Sequence, residues 1–166
     1  MKLILVLSII ASFILGYGIK EITQKKVQKN QKVNSIGGIF FKSKNPKELR
    51  AWYQKNLGMN MDAYGTNFEW RQAGDSTQKG FTLWAPFKET TKYFEPSGKD
   101  FMINYRVADL QDLLTDLKKE GIEAIDKIDS ASYGYFVHIM DIEGNKIELW
   151  QPQDNEYKKI ITGITK

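Results

Sequence analysis

The chain of 166 residues has no cysteine and only one histidine, His138. Without cysteine there are no disulfides, no zinc–thiolate centres, no thiol nucleophile and no lipid attached through sulfur. A lone histidine excludes multi-histidine metal sites. A basic recognition surface is missing as well. The overall net charge is +4, but residues 1–32 hold six lysines against Glu21, a local +5, which leaves the remainder at −1. The globular part therefore lacks the cationic stripe that phosphate contacts require, and nucleic acid is not an expected partner. No glycine-rich phosphate loop, Ser–His–Asp arrangement or paired-carboxylate site stands out either. What is present suits one packed domain: hydrophobic residues make up 42% and aromatic residues 13%, enough for a core at this length.

The chain divides into four parts. After Met1-Lys2, the thirteen residues Leu3–Leu15 carry no charge. That is short for a membrane span, which needs about 20 residues. Residues 1–18 read as a signal peptide with a small-x-small site at Gly16-Tyr17-Gly18, or as an uncleaved N-terminal membrane anchor. Either reading makes the domain exported, secreted or periplasmic, or tethered to a membrane through residues 3–18. Residues 19–34 form a basic polar linker. Residues 35–152 form the domain, and 153–166 a C-terminal tail, either on the surface or carrying a short docking helix.

Within the domain the punctuation occurs twice. Asn45-Pro46-Lys47-Glu48 is a helix start, with Asn as cap, Pro at the first position and Glu at the third. Leu49, Trp52, Tyr53 and Leu57 follow at the spacing of one buried helical face, which assigns Trp52 and Tyr53 to the core; Gly58 ends the helix. The second copy starts at Asp109, runs through Leu110, Leu113, Leu114 and Leu117, and ends at Gly121. Strand-like runs surround each helix: Ile36–Lys42, then Asn60–Tyr64, Asn67–Ala73 and Gly80–Trp84; Phe101–Val107, then Glu123–Ile128, Tyr135–Met140 and Lys146–Gln151. The closing strands carry Leu83-Trp84-Ala85-Pro86 and Leu149-Trp150-Gln151-Pro152. The fold class is thus α+β, two tandem β-α-β-β-β modules (36–86 and 101–152) forming a curved mixed sheet, a cup with helices outside. A small-molecule ligand is expected in the cup.

The run Phe41–Met59 and the closing segment Asp141-Ile-Glu-Gly-Asn-Lys-Ile-Glu-Leu-Trp resemble the vicinal oxygen chelate superfamily. That group includes glyoxalase I, fosfomycin-resistance enzymes, extradiol dioxygenases and bleomycin-binding proteins. The resemblance covers roughly residues 35–152 and implies the two-module cup. It also implies pairing of two copies as a homodimer, and a divalent metal held by four cup-facing residues. Those positions fall on Gly38, Thr82, Met102 and Glu148, of which only Glu148 is an ordinary ligand. No metal and no other cofactor is therefore expected.

Given Glu148 in the cup, alternation places Lys146 and Trp150 there too. The hairpin Asp141–Asn145 sets His138 opposite Glu148, about 5 Å away at Cβ. This pair is the candidate acid–base element, since a carboxylate beside imidazole raises its pKa; the alternative is a self-satisfied structural pair. Phe40, Trp70, Trp84, Asn104, Arg106 and Trp150 are the candidate ligand-binding residues, with the sheet aromatics, Phe68 among them, shared between core and pocket. Lys42 and Arg106 are long enough to lie exposed at the rim. The expected function is metal-independent binding of a small molecule in an aromatic-lined cup. The alternatives are a lyase or isomerase of glyoxalase type using Glu148 and His138, and a dimerising interaction module.

Overall fold

Short runs of aromatic and β-branched residues give eight strands in residues 32–166, the part that the computed structural model describes. They are β1 (Val33–Ser43), β2 (Thr66–Gln72), β3 (Asp75–Lys88), β4 (Phe101–Val107), β5 (Asp129–Ala131), β6 (Gly134–Met140), β7 (Lys146–Pro152) and β8 (Ile164–Thr165). All belong to one mixed sheet of order β5-β6-β7-β4-β1-β3-β2-β8. The two modules join in the middle, where β1 and β4 run antiparallel. Among the described residues three helices, α1 (Pro46–Leu57), α2 (Leu110–Lys119) and α3 (Asp154–Ile160), complete an α+β fold. The leader and nearly all of the linker lie outside the described residues. Among the described residues no helix is long and apolar enough to cross a membrane.

Both helix starts follow from their caps. Asn45 accepts from the Glu48 amide, and Asp109 accepts from the Asp112 amide, each satisfying a first-turn donor. The helices then differ. Leu110 and Leu113 of α2 are buried in a cluster with Val107, Val137, Ile139 and Leu149. In α1 no residue is buried. Trp52 is 54% exposed and Leu57 59%, so the expected core face of α1 is corrected. Of that face only Leu49 and Tyr53 are half-buried, with the Tyr53 ring 4.7 Å from Trp84 of β3.

Two expected strands do not form. At Asn60–Tyr64 the chain turns instead, because the Asp62 carboxylate accepts from the amides of Tyr64, Gly65 and Gly163. At Glu123–Ile128 the backbone meets the sheet through one bond, Ile125 N to the His138 carbonyl, and the short edge strand β5 follows later. The vacant edge of the first module is taken by the C-terminal segment: β8 pairs parallel to β2. Asn60 fixes it from both sides, its amide donating to Thr165 Oγ1 and its side chain to the Ile164 carbonyl.

The register between β1 and β4 slips between Ile36 and Gly38, leaving Gly37 as the bulged residue. A Cβ on Gly37 would lie 2.1 Å from Asn104 Oδ1, 2.8 Å from the Trp150 ring and 2.9 Å from Arg106 Cγ. The floor of the cup is packed against bare backbone there. Gly37→Ala is therefore expected to cost about 2 kcal/mol or more by overpacking. Urea unfolding with an unchanged slope tests it; a loss under about 0.5 kcal/mol would show that the floor gives way freely.

Candidate functional site

A single rung of the sheet crosses five strands and carries the polar centre of the cup. Leu83 pairs with Gly38, Gly38 with Asn104, Asn104 with Glu148, and Glu148 with His138. The turn Asp141–Asn145 sets the last pairing, its Asp141 carboxylate accepting from the amides of Glu143 and Asn145. Around this rung lies a cavity of about 940 Å³. Phe40, Leu83, Phe87, Tyr93, Tyr133, Phe136, Trp150 and Tyr157 supply its apolar wall, and Asn104, His138 and Glu148 its polar end.

Glu148 is 3% exposed and receives three donors. Asn104 Nδ2 donates to Oε1 at 2.6 Å, while His138 Nε2, at 3.0 Å, and the Tyr93 hydroxyl both reach Oε2. On its other side His138 Nδ1 lies 2.5 Å from Asp126 Oδ2, and its backbone amide donates to Asp126 Oδ1. An imidazole with a carboxylate at each nitrogen is satisfied at both only when both nitrogens carry protons. Burial opposes that charge, but the hydrogen bonds to Glu148 and Asp126 outweigh it and raise the His138 pKa. Burial first, then the Glu148 charge, pushes the Tyr93 phenol up, so it remains a donor. Behind Tyr93, Lys146 donates to its backbone carbonyl at 2.7 Å, with burial lowering the ammonium pKa.

Of the residues singled out from sequence, Phe40, Asn104, His138, Glu148 and Trp150 line the cavity. Three do not. Trp84 points to the opposite face, where its ring meets Phe41 and Tyr53 beneath α1. Trp70 lies across Gly80, its Nε1 donating to Thr82 Oγ1. Arg106 is 2% exposed rather than at the rim, its guanidinium 5.0 Å from the Trp150 ring and 5.5 Å from Trp70. Phe68 is 38% exposed and also outside the lining. Tyr93 and Asp126 were not foreseen. Tyr93 lies in the connection between the modules, where no periodicity marks it, and Asp126 falls in a run read as strand.

The aligned metal positions do not come together. Thr82 donates to the Ile36 carbonyl on the outer side, and Met102 packs with Phe40, Ala85 and Phe94. The rung instead offers Leu83, a glycine and an amide beside Glu148, and both Glu148 oxygens already serve protein donors. Such a donor set does not fit a divalent ion. Among the described residues no cluster of three or more His, Asp or Glu is placed to hold one.

No sequence-family model matches the chain, and no curated protein matches it by sequence. Solved structures do. A methylmalonyl-CoA epimerase in complex with methylmalonyl-CoA and ammonium matches with a TM-score of 0.56 at 14% identity, over 75% of this chain and 98% of its own. The Mycobacterium tuberculosis methylmalonyl-CoA epimerase matches with a TM-score of 0.51 at 16% identity, over 78% and 95%. A variant of the Streptomyces coelicolor enzyme in complex with 2-nitronate-propionyl-CoA matches at 0.55 and 15%, over 73% and 99%. These are vicinal oxygen chelate structures. The chain has the vicinal oxygen chelate fold. At such identities the likeness is one of architecture, and chemistry must be argued from the site.

With a pKa raised in the folded state, His138 contributes stability that is fully present below its unfolded value of about 6.5 and is lost as pH rises through the folded value. As the chain's one histidine, it gives unambiguous NMR ring signals. Their titration midpoint is expected above 6.5 in the native protein and at the ordinary value in urea. A native midpoint at or below 6.5 would contradict the two-carboxylate reading. His138→Gln should flatten the pH dependence of stability above neutrality.

Proposed function

We propose that this domain binds a small, flat, uncharged molecule in its cup, without a metal. The observation that carries the reading is the contrast between the wall and its ions. The inner wall is largely aromatic, while the charged groups set into it already have protein partners: Glu148 through three donors, His138 and Asp126 through each other, Asp62 through three backbone amides. A charged ligand would have to displace one of these pairings, of which those to Glu148 are the most buried, whereas an apolar ring gains contact without breaking any. Arg50, Lys127 and Asp129 also border the cavity, the last two exposed to solvent. A volume near 940 Å³ lies within the range of small-molecule sites. From the uncharged run Leu3–Leu15 we also infer that the domain works outside the cytoplasm or tethered to a membrane.

N-phenyl-1-naphthylamine, a neutral dye that fluoresces in apolar surroundings, tests the reading. Saturable one-to-one binding is expected, unchanged after dialysis against EDTA. Phe136→Ala, which removes a ring stacked on Trp150, should weaken it about tenfold, the scale of one buried apolar side chain. Absence of saturation would sink the binding reading, and dependence on added metal its metal-free part.

A second reading, acid–base catalysis by His138 and Glu148, is favoured by the imidazole bracketed between two carboxylates. Methylmalonyl-CoA, the ligand of one structural neighbour, supplies the assay. Under the binding reading the domain leaves its α-hydrogen unexchanged in D₂O. Exchange that His138→Gln abolishes would establish the catalytic reading instead.

A further inference from the structure

The cup of the tandem modules is open on the side of the β2 edge, and that side is closed by residues beyond the repeat. Residues 153–166 carry α3 and β8 across it. Three of their side chains, Tyr157, Ile160 and Ile161, line the cavity opposite the sheet aromatics. We infer that this C-terminal segment is the specificity-determining wall of the cavity, and that it sets the width of the ligand to one flat ring system. The inference rests on the binding reading given above.

The segment is built in rather than draped. At its start Asp154 meets Arg106 Nη2 at 2.6 and 2.8 Å and accepts from Gln72 Nε2 at 3.1 Å. In its middle the buried Tyr157 packs edge-on to Trp150 at 5.0 Å and Phe81 at 5.9 Å, and its hydroxyl donates to Asn67 Oδ1 at 2.7 Å. At its end β8 pairs with β2, Gly163 N donates to Asp62, and Thr165 Oγ1 meets Thr66 Oγ1 at 2.8 Å. Three anchors along fourteen residues fix the facing side chains at one distance from the sheet. Between the anchors, Ile160 and Ile161 bring branched aliphatic groups to the cavity. Ile160 remains 53% exposed, so nothing in the core needs its side chain. An apolar side chain left in water at the mouth of an aromatic cavity is placed to cover a ligand's ring.

The experiment measures a ratio of affinities, which a general loss of stability does not move. Two neutral fluorescent probes are compared on the full chain: N-phenyl-1-naphthylamine, compact and flat, and 1,6-diphenylhexatriene, a longer rod. Wild type should prefer the compact probe. Ile160→Ala with Ile161→Ala should shift the preference at least tenfold towards the rod. Ile160→Trp, which fills the mouth from an exposed position, should weaken the compact probe at least tenfold with the unfolding temperature unchanged. Ratios within twofold of wild type in both variants would overturn the assignment while leaving the binding reading intact. Failure of wild type to bind either probe would overturn both.

Discussion

Arg106 is a guanidinium buried to 2% exposure between two indole rings, and a charge so placed must have its counter-ion. That counter-ion is Asp154, which binds Nη2 with both carboxylate oxygens. Among the described residues Arg106 Nε and Nη1 have no hydrogen-bond partner, so its ion pairing runs through Nη2 to Asp154. Arg106 belongs to β4, at the centre of the sheet, and Asp154 begins α3. The pair therefore obliges the chain to return over the cup directly after the second module ends. Once α3 starts there, Tyr157 arrives on Asn67, Trp150 and Phe81, and β8 reaches the free edge of β2. A residue that could have served as a ligand handle at the rim instead ties the cavity together.

The second charged centre follows the same rule and reaches a different end. Glu148, buried nearly as deeply, gathers Asn104, His138 and Tyr93, and His138 in turn holds Asp126. The net result is a chain of donors and acceptors running from half-exposed Asp126 inward, with each ionised group opposite another. Such a network is rigid, because removing any member strands a buried partner. It presents a fixed polar end to the cavity and leaves discrimination to the rings and aliphatic groups around it. At the position where the family resemblance implies a metal ligand, the Glu148 carboxylate is spent on the protein itself.

Much of this was legible in the sequence because it rests on local rules. Asn45 and Asp109 mark helix starts by capping chemistry, and the Asp141–Asn145 turn puts His138 opposite Glu148 with no tertiary knowledge. What escaped depends on neighbours distant in the chain. Whether Trp52 is buried depends on how far α1 lies over β3, which periodicity does not encode. Asn60–Tyr64 has strand-like composition, but Asp62 spends its carboxylate on Gly163, a hundred residues away. Arg106 looked like a rim residue for the same reason: its burial depends on an aspartate beyond the repeat.

The aligned positions miss the centre of the cup by one residue on β3 and by two on β4. Leu83, not Thr82, stands on the rung of Glu148, and Asn104, not Met102, stands beside it, while the bulge at Gly37 lies next to that rung. The glycine is required because Asn104, Arg106 and Trp150 occupy the space where its Cβ would be. Asn104 orients Glu148, Arg106 holds Asp154, and Trp150 floors the cavity. A side chain at position 37 would press on all three at once. The bare backbone at Gly37 thus makes room for the residues that build the floor and the polar end of the cup.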